Sequence, residues 1–187
     1  MVVTVHIDEK RMRDIQKSLL NIPQKSPNAI SNALNRSNTN VASNLKKEVP
    51  KKYHIKAGIV GTAIKKNPAS PATLKATVTA SGGPIGLDKF KVSPKTINPR
   101  RKSQLKISVR KDRPIGNVNG AFNAMINGLK VMKRIGKKRL PIDRLFGPSI
   151  PQMAGNEEIA NKVRNEGGRV FERRLAHEIN RLLQRGG

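Results

Sequence analysis

At 187 residues, with 36% hydrophobic side chains, 3% aromatics and no Trp, the chain suits one domain with an appendage or two small ones, and its core must be built from Ile, Leu, Val and Ala. Thirty-eight Lys and Arg against 12 Asp and Glu give a net charge of +26, which repels itself in a compact monomer and calls for a polyanion or acidic partner surfaces. Cysteine is absent, which excludes disulfides and thiolate metal sites.

The opening MVVTVHIDEKRMRD lacks an apolar run of signal-peptide length, and no stretch approaches the roughly 18 apolar residues of a spanning helix. The expectation is a cytoplasmic product that stays soluble or joins a particle. Val3, Val5 and Ile7 alternate weakly, as a short strand or an extended lead-in. Asp8 offers an N-cap, and Met12, Ile15, Leu19 and Ile22 form one stripe on a helix that stops before Pro23.

Ser26-Pro27 is a start signal, a capping hydroxyl followed by proline at the first helical position. Ile30, Ala33, Leu34, Val41, Leu45 and Val49 then keep helical phase until Pro50, which is expected to end the helix. Its other face carries Asn32, Asn35, Ser37, Asn38, Asn40, Ser43 and Asn44, all poor helix formers. Such small and amide side chains suit either a subunit contact or a solvated face. Lys51 to Lys66 reads as a short helix interrupted by glycines, followed by a turn at 67–71.

There the period changes from 3.6 to 2. Leu74, Ala76, Val78 and Ala80 alternate with polar residues and predict a strand; Ser81 to Pro84 turns the chain, and Ile85 to Val92 predicts a second extended segment. A polar, basic loop over 94–103 precedes a strand at Leu105, Ile107 and Val109 and a turn at 113–117. Ala121 to Ile126 is extended or a short helix, and Leu129 to Arg134 completes the β-region.

The run Arg134 to Met153, RIGKKRLPIDRLFGPSIPQM, fits neither period. Pro141, Pro148 and Pro151 each remove a backbone donor and bias the preceding residue toward extended geometry. The stretch is expected to be an ordered extended arm or crossover, the alternative being a surface loop with incidental prolines. Glu157 and Glu158 then sit at the positive end of a last helix whose stripe is Ile159, Val163, Val170, Phe171, Leu175, Ile179 and Leu182. Gly167-Gly168 predicts a kink in it. The order of elements gives an α+β class, a single domain over 1–187 with helices over 1–66, a central and mostly antiparallel sheet over 72–134, the arm over 135–155 and a long helix over 156–185.

Nothing in the sequence reads as catalytic. His6, His54 and His177 are not at metal-ligand spacing, and the few acids form no paired-carboxylate arrangement. Gly82-Gly83-Pro84-Ile85-Gly86 lacks the Lys-Ser ending of a phosphate loop. No catalytic, cofactor or metal residue is nominated, no small-molecule substrate is expected, and the chain is not expected to be an enzyme. The basic clusters differ: Arg100-Arg101-Lys102 falls on a loop tip, and Lys133, Arg134, Lys137, Lys138 and Arg139 form a second group. At this density Lys and Arg neutralise phosphates without reading sequence. Scarce aromatics argue against single-strand recognition, and no amphipathic basic helix with bulky aromatics points to a membrane. These cations either face a nucleic-acid backbone or solubilise the chain and meet acidic subunits.

Several of these segments resemble one family. A long Asn/Ser-rich helix, Tyr53-His54-Ile55-Lys56, the strand to Ala80 followed by Ser81-Gly82, and Ile85-Gly86-Leu87-Asp88-Lys89-Phe90 are similar to the phage minor tail protein Z family. So are Gly120-Ala121-Phe122, Arg139-Leu140-Pro141-Ile142, Leu145-Phe146-Gly147-Pro148-Ser149-Ile150-Pro151-Gln152-Met153 and the terminal helix with His177-Glu178. The resemblance runs from Ala29 to Leu183, and its most specific part is Arg139 to Met153.

What the resemblance implies is a tail-completion protein of a long-tailed bacteriophage or prophage, made in the host cytoplasm and built into the virion neck. There it would form a hexameric ring against tail tube or tail terminator and head–tail connector proteins, around double-stranded DNA. On that view the basic residues divide between lining the lumen and pairing with acidic partners. Leu145, Phe146, Ile150 and Met153 become subunit-interface anchors, each worth roughly 1.5–3 kcal/mol if buried. The alternative is a stand-alone, sequence-nonspecific nucleic-acid-binding protein.

Overall fold

A computed structural model describes Val2–Val3 and residues 26–185; the helix expected over Asp8 to Ile22 lies outside them. The class is α+β. A long N-terminal helix α1 (Ser26–Lys52) and a short α2 (Ala57–Thr62) precede most of the strands, and α3 (Ile150–Ala154) and a long α4 (Glu157–Arg185) follow them. The strands are β1 (Val2–Val3), β2 (Ile64–Asn67), β3 (Thr77–Ala80), β4 (Pro84–Gly86), β5 (Lys91–Ser93), β6 (Leu105–Ser108), β7 (Gly116–Val118), β8 (Ala121–Met125), β9 (Leu129–Arg134), β10 (Ile142–Arg144) and β11 (Phe146–Ser149). They make four small antiparallel sheets rather than one central sheet, ordered β1-β3-β2, β10-β9-β8, β11-β4 and β5-β6-β7.

The chain packs as two compact units, neither continuous in sequence. The first draws on the described parts of Met1–Leu45, Ile64–Ser81 and Ala154–Gly187. Its core joins Ile30, Ala33 and Leu34 of α1 to Ala69, Ala76 and to Phe171 and Leu175 of α4. The Asn/Ser face of α1 is neither a free subunit contact nor wholly solvated, because its own chain occupies part of it. Asn35 grips the backbone of Ala69 with both ends of its amide, donating to the carbonyl at 3.0 Å and accepting from the N–H at 2.7 Å. Asn38 donates to the Asn67 carbonyl at 3.0 Å, and the buried Ser37 hydroxyl donates to the Gly167 carbonyl at 2.7 Å.

Gly167 therefore has a different job from the one its sequence suggests. The helix α4 runs unbroken through Gly167-Gly168, and a Cβ on Gly167 would stand 2.6 Å from Val41 Cγ2. The glycine admits α1 rather than loosening α4. In β3 the alternation holds, with Val78 and Ala80 buried and Thr77 and Thr79 half-buried. The strand starts at Thr77 rather than Leu74, because Leu74 adopts φ 42° and closes a turn on the Ser70 carbonyl.

The second unit comprises Lys46–Ala63 and Gly82–Met153. Pro50 lies inside the last turn of α1 instead of ending it. It forfeits one helical donor, yet the turn still closes through the Tyr53 N–H on the Val49 carbonyl at 2.9 Å. The core here is Val92, Leu105, Ile107 and Val131, flanked by Leu87, Val109, Val118, Ala121 and Leu145. The segment Ile85 to Val92 is not one strand: a 3-10 turn at Leu87–Lys89 divides it, so β4 pairs with β11 and β5 with β6. Ala121 to Met125 is a strand, joined to β9 through Asn127 (φ 49°) and Gly128 (φ 93°), a pair that tolerates the left-handed region.

The proline-rich stretch is extended, but it folds back rather than projecting as an arm. Ile142 to Arg144 pairs with Arg134 to Met132, and Phe146 and Gly147 pair with Gly86 and Ile85. Ser149 and Gln152 then form a reciprocal capping box for α3: the Ser149 N–H donates to Gln152 Oε1 at 2.9 Å, and the Gln152 N–H to Ser149 Oγ at 3.4 Å. Pro151 falls in the first turn of α3, where an N–H has no helical partner anyway.

Candidate functional site

The second unit carries every residue nominated from the sequence. Arg100, Arg101 and Lys102 lie on the loop joining β5 to β6. Arg101 is half-buried and organises that loop, its Nη2 donating to the Thr96 carbonyl at 2.7 Å and hydroxyl at 3.1 Å, whereas Arg100 and Lys102 are exposed. Lys133 and Arg134 end β9 facing solvent, with the Arg134 guanidinium 5.4 Å from the centre of the Phe122 ring on β8. Lys137, Lys138 and Arg139 are exposed on the loop between β9 and β10.

Tertiary structure brings one member of each basic group to one place. Arg101 and Arg134, far apart in sequence, both line a cleft of about 380 Å³ with Ile97, Asn98, Phe122 and Asn123. Cross-strand register fixes Phe122 opposite Met132, which puts Arg134 near enough to cover its ring. At the cleft the Asn123 amide donates to the carbonyls of Pro94 and Thr96 at 2.9 and 3.2 Å, while its buried Oδ1 has no partner. The two guanidinium groups attract an anion to this cleft, whereas the unpartnered Asn123 oxygen calls for a donor.

A second cleft, of about 510 Å³, was not marked by any basic run. Its wall is assembled by backbone pairing of distant segments: the His54 N–H donates to the Val109 carbonyl at 2.9 Å, and the Lys111 N–H to the Lys52 carbonyl at 2.8 Å. Lys56, Lys89, Lys91, Lys95 and Lys111 line it, around His54 and over buried Tyr53, Ile55 and Phe90. Its one acid, Asp88, is already held by Arg144 at 2.7 Å. Burial, and then the charges of Lys91 and Lys111, hold the His54 imidazole below its ordinary pKa. The sequence hint was the alternation of lysines over Lys89 to Lys95, which reads as the solvated face of a strand until Lys56 and Lys111 are brought beside it.

The four interface residues fare differently. Leu145 packs against the core of this unit, and its backbone bridges Val131 and Leu87 at 2.9 and 3.0 Å. Ile150 and Met153 are 3% and 0% exposed within their own chain. Ile150 and Met153 are thus buried by their own chain, and Leu145 is half-buried against the core of its unit, so none of the three is a free anchor. Phe146, 54% exposed with the Arg144 guanidinium 5.3 Å from its ring centre, is the one of the four open to a partner.

Among the described residues no group of three or more His, Asp or Glu is placed to hold a metal ion, and no helix is long and apolar enough to cross a membrane. Comparison with protein-family models, with curated proteins and with solved structures finds no match.

Proposed function

We propose that the chain is a structural virion protein, a tail-completion component at the head-proximal end of a phage tail. One copy would be a segment of a hexameric neck ring that joins the tail to the head-side connector and surrounds the DNA path. The observation that carries this reading is the convergence of Arg101 and Arg134 on one cleft, in a unit that also exposes Arg100, Lys102, Lys133, Lys137, Lys138 and Arg139. Groups of this kind attract a polyanion backbone without selecting a base sequence. Repeated around a ring, they give an additive positive field at a lumen. The similarity of Arg139 to Met153 to the minor tail protein Z family supplies the virion context.

Electron microscopy of particles carrying a small tag after Gly187 tests the reading. Tag density at the head–tail junction is expected, together with failed head–tail joining when Lys137, Lys138 and Arg139 are reversed to Glu. Particles that never incorporate the protein, combined with salt-sensitive duplex binding by the isolated monomer, would replace the virion reading with a stand-alone nucleic-acid binder.

A further inference from the structure

We propose that the lysine-lined cleft beside His54 is a phosphate-binding site, distinct from the cleft that holds Arg101 and Arg134. Five ammonium groups around one concavity of about 510 Å³ are an unfavourable arrangement unless something negative enters it. Among the described residues lining it only Asp88 offers a carboxylate, and Lys89 meets it at 3.9 Å. Lys56, Lys91, Lys95 and Lys111 have no carboxylate partner among the described residues. Asp88 is buried and accepts two hydrogen bonds from Arg144, at 2.7 and 3.2 Å, so its charge is spent on that pair.

The walls are fixed, and of the five lysine tips only that of Lys89 meets a carboxylate among the described residues. Backbone hydrogen bonds lock the segment of His54 to that of Val109 and Lys111, and the Asp88–Arg144 pair pins the turn from which Lys89 and Lys91 extend. Tyr53, Ile55 and Phe90 beneath are buried apolar side chains that lower the local dielectric and strengthen any charge pairing above them. Ammonium groups are compact point charges with rotatable donors, and they satisfy phosphate oxygens without a fixed fork geometry. The cleft is larger than one phosphate, and its five lysines carry more charge than one phosphate neutralises. The ligand class is therefore a run of phosphates, in a duplex backbone or in a free oligophosphate.

His54 reports occupancy. Facing it are Lys91 from β5 and Lys111 from the segment after β6, with Lys56, Lys89 and Lys95 on the rim and Asp88 tied to Arg144. An entering anion offsets the lysine charges and favours the imidazolium. The inference rests on the polyanion reading only for the duplex as a source; an oligophosphate site stands without it.

The test follows the imidazole proton signals of the full chain through pH, alone, with tripolyphosphate and with a 20-base-pair duplex, and His54→Gln assigns the relevant signal. Tripolyphosphate is expected to raise the His54 midpoint by about one pH unit. The Lys91→Gln/Lys111→Gln variant should lose this response and weaken tripolyphosphate about tenfold or more, while Lys137→Gln/Lys138→Gln keeps it. If the duplex moves His54 too, backbone phosphates are the source, and the double cleft variant lowers the salt slope of duplex binding by roughly two. A duplex that binds without moving His54, while tripolyphosphate does move it, assigns the site to a free oligophosphate and the DNA contact to the arginine cleft. A His54 midpoint unmoved by either ligand overturns the proposal, even if the duplex binds elsewhere, and leaves the cleft to an acidic protein surface. Duplex failing to bind at low salt, with the tripolyphosphate response intact, removes the DNA contact from the virion reading and keeps the phosphate site.

Discussion

Asp88 and Arg144, 56 positions apart, form a fork in which one carboxylate oxygen accepts from the guanidinium Nη2 at 2.7 Å and Nε at 3.2 Å. The Asp88 side chain is only 3% exposed. The pair ties the turn after β4 to the strand β10 at the centre of the proline-rich stretch. Gly86 lies so close beneath it that a Cβ there would overlap the guanidinium.

Removing Arg144 should therefore be worse than removing both partners. Arg144→Met leaves the buried carboxylate only the exposed Lys89 ammonium at 3.9 Å and is expected to cost about 3 kcal/mol, the low end for such pairs because the arginine is partly exposed and Lys89 remains. The Asp88→Asn/Arg144→Met double variant should recover most of that loss. Urea titrations of the three proteins decide it, and equal midpoints for wild type and Arg144→Met would contradict the assignment.

The adjacent glycines of α4 should respond with opposite sign. Gly167→Ala forces a methyl group to within 2.6 Å of Val41 and is expected to destabilise by about 1–3 kcal/mol. Gly168→Ala meets nothing within 4 Å and should stabilise by about 0.5–1 kcal/mol, since alanine restricts the unfolded chain and suits a helix. Thermal melts of the two variants are sufficient. Similar losses in both would mean that α1 and α4 do not meet at Gly167.

Stability should fall on mild acidification, and His54 should contribute. Its folded pKa lies below the ordinary 6.5 of a free imidazole, through burial first and then Lys91 and Lys111. Between the two pKa values the unfolded chain binds the proton that the folded chain refuses, so stability rises with pH there. Well above 6.5 the histidine is neutral in both states and contributes no penalty. The loss sets in as pH falls through 6.5 and is complete below the folded pKa. In His54→Gln the slope of stability against pH across this window should be smaller. Parallel wild-type and variant curves would show that His54 is not the responsible group.

Phe146 and Ile150 separate interface from core. Ile150→Ala should cost about 2–5 kcal/mol in the isolated chain, as a cavity in a packed interior does. Phe146→Ala should change folding stability by less than about 0.5–1 kcal/mol, being a surface truncation, yet weaken self-association if that ring seats against a neighbour. Light scattering together with chemical denaturation reads both. An unchanged oligomer in Phe146→Ala removes the last of the four apolar anchors.

Local rules made much of the fold legible. Ser26-Pro27 marked the start of α1, the acids at 157 and 158 the start of α4, and the period of two marked β3 and β6. Two signals in the sequence went unused. Asn127-Gly128 is a hairpin pair that settles Ala121 to Met125 as a strand, and Ser149-x-x-Gln152 is a capping box that announces α3 inside an apparent arm. Of the basic residues, runs were visible because they are contiguous. The lysine cleft was not, since its members are single residues spread from Lys56 to Lys111.

Charge, class of elements and their order follow from the residues alone, because composition, periodicity and capping act over a few neighbouring residues. How the surplus charge and the apolar residues are used is settled by the folding of distant segments together. Whether Gly167 bends or admits a neighbour, and whether Ile150 is an anchor or a core residue, depends on backbone segments far away in the chain. So does the meeting of Arg101 with Arg134 and of His54 with Lys91 and Lys111. Pairing between distant segments is set by which apolar faces can be buried together, and a local pattern carries no record of that choice.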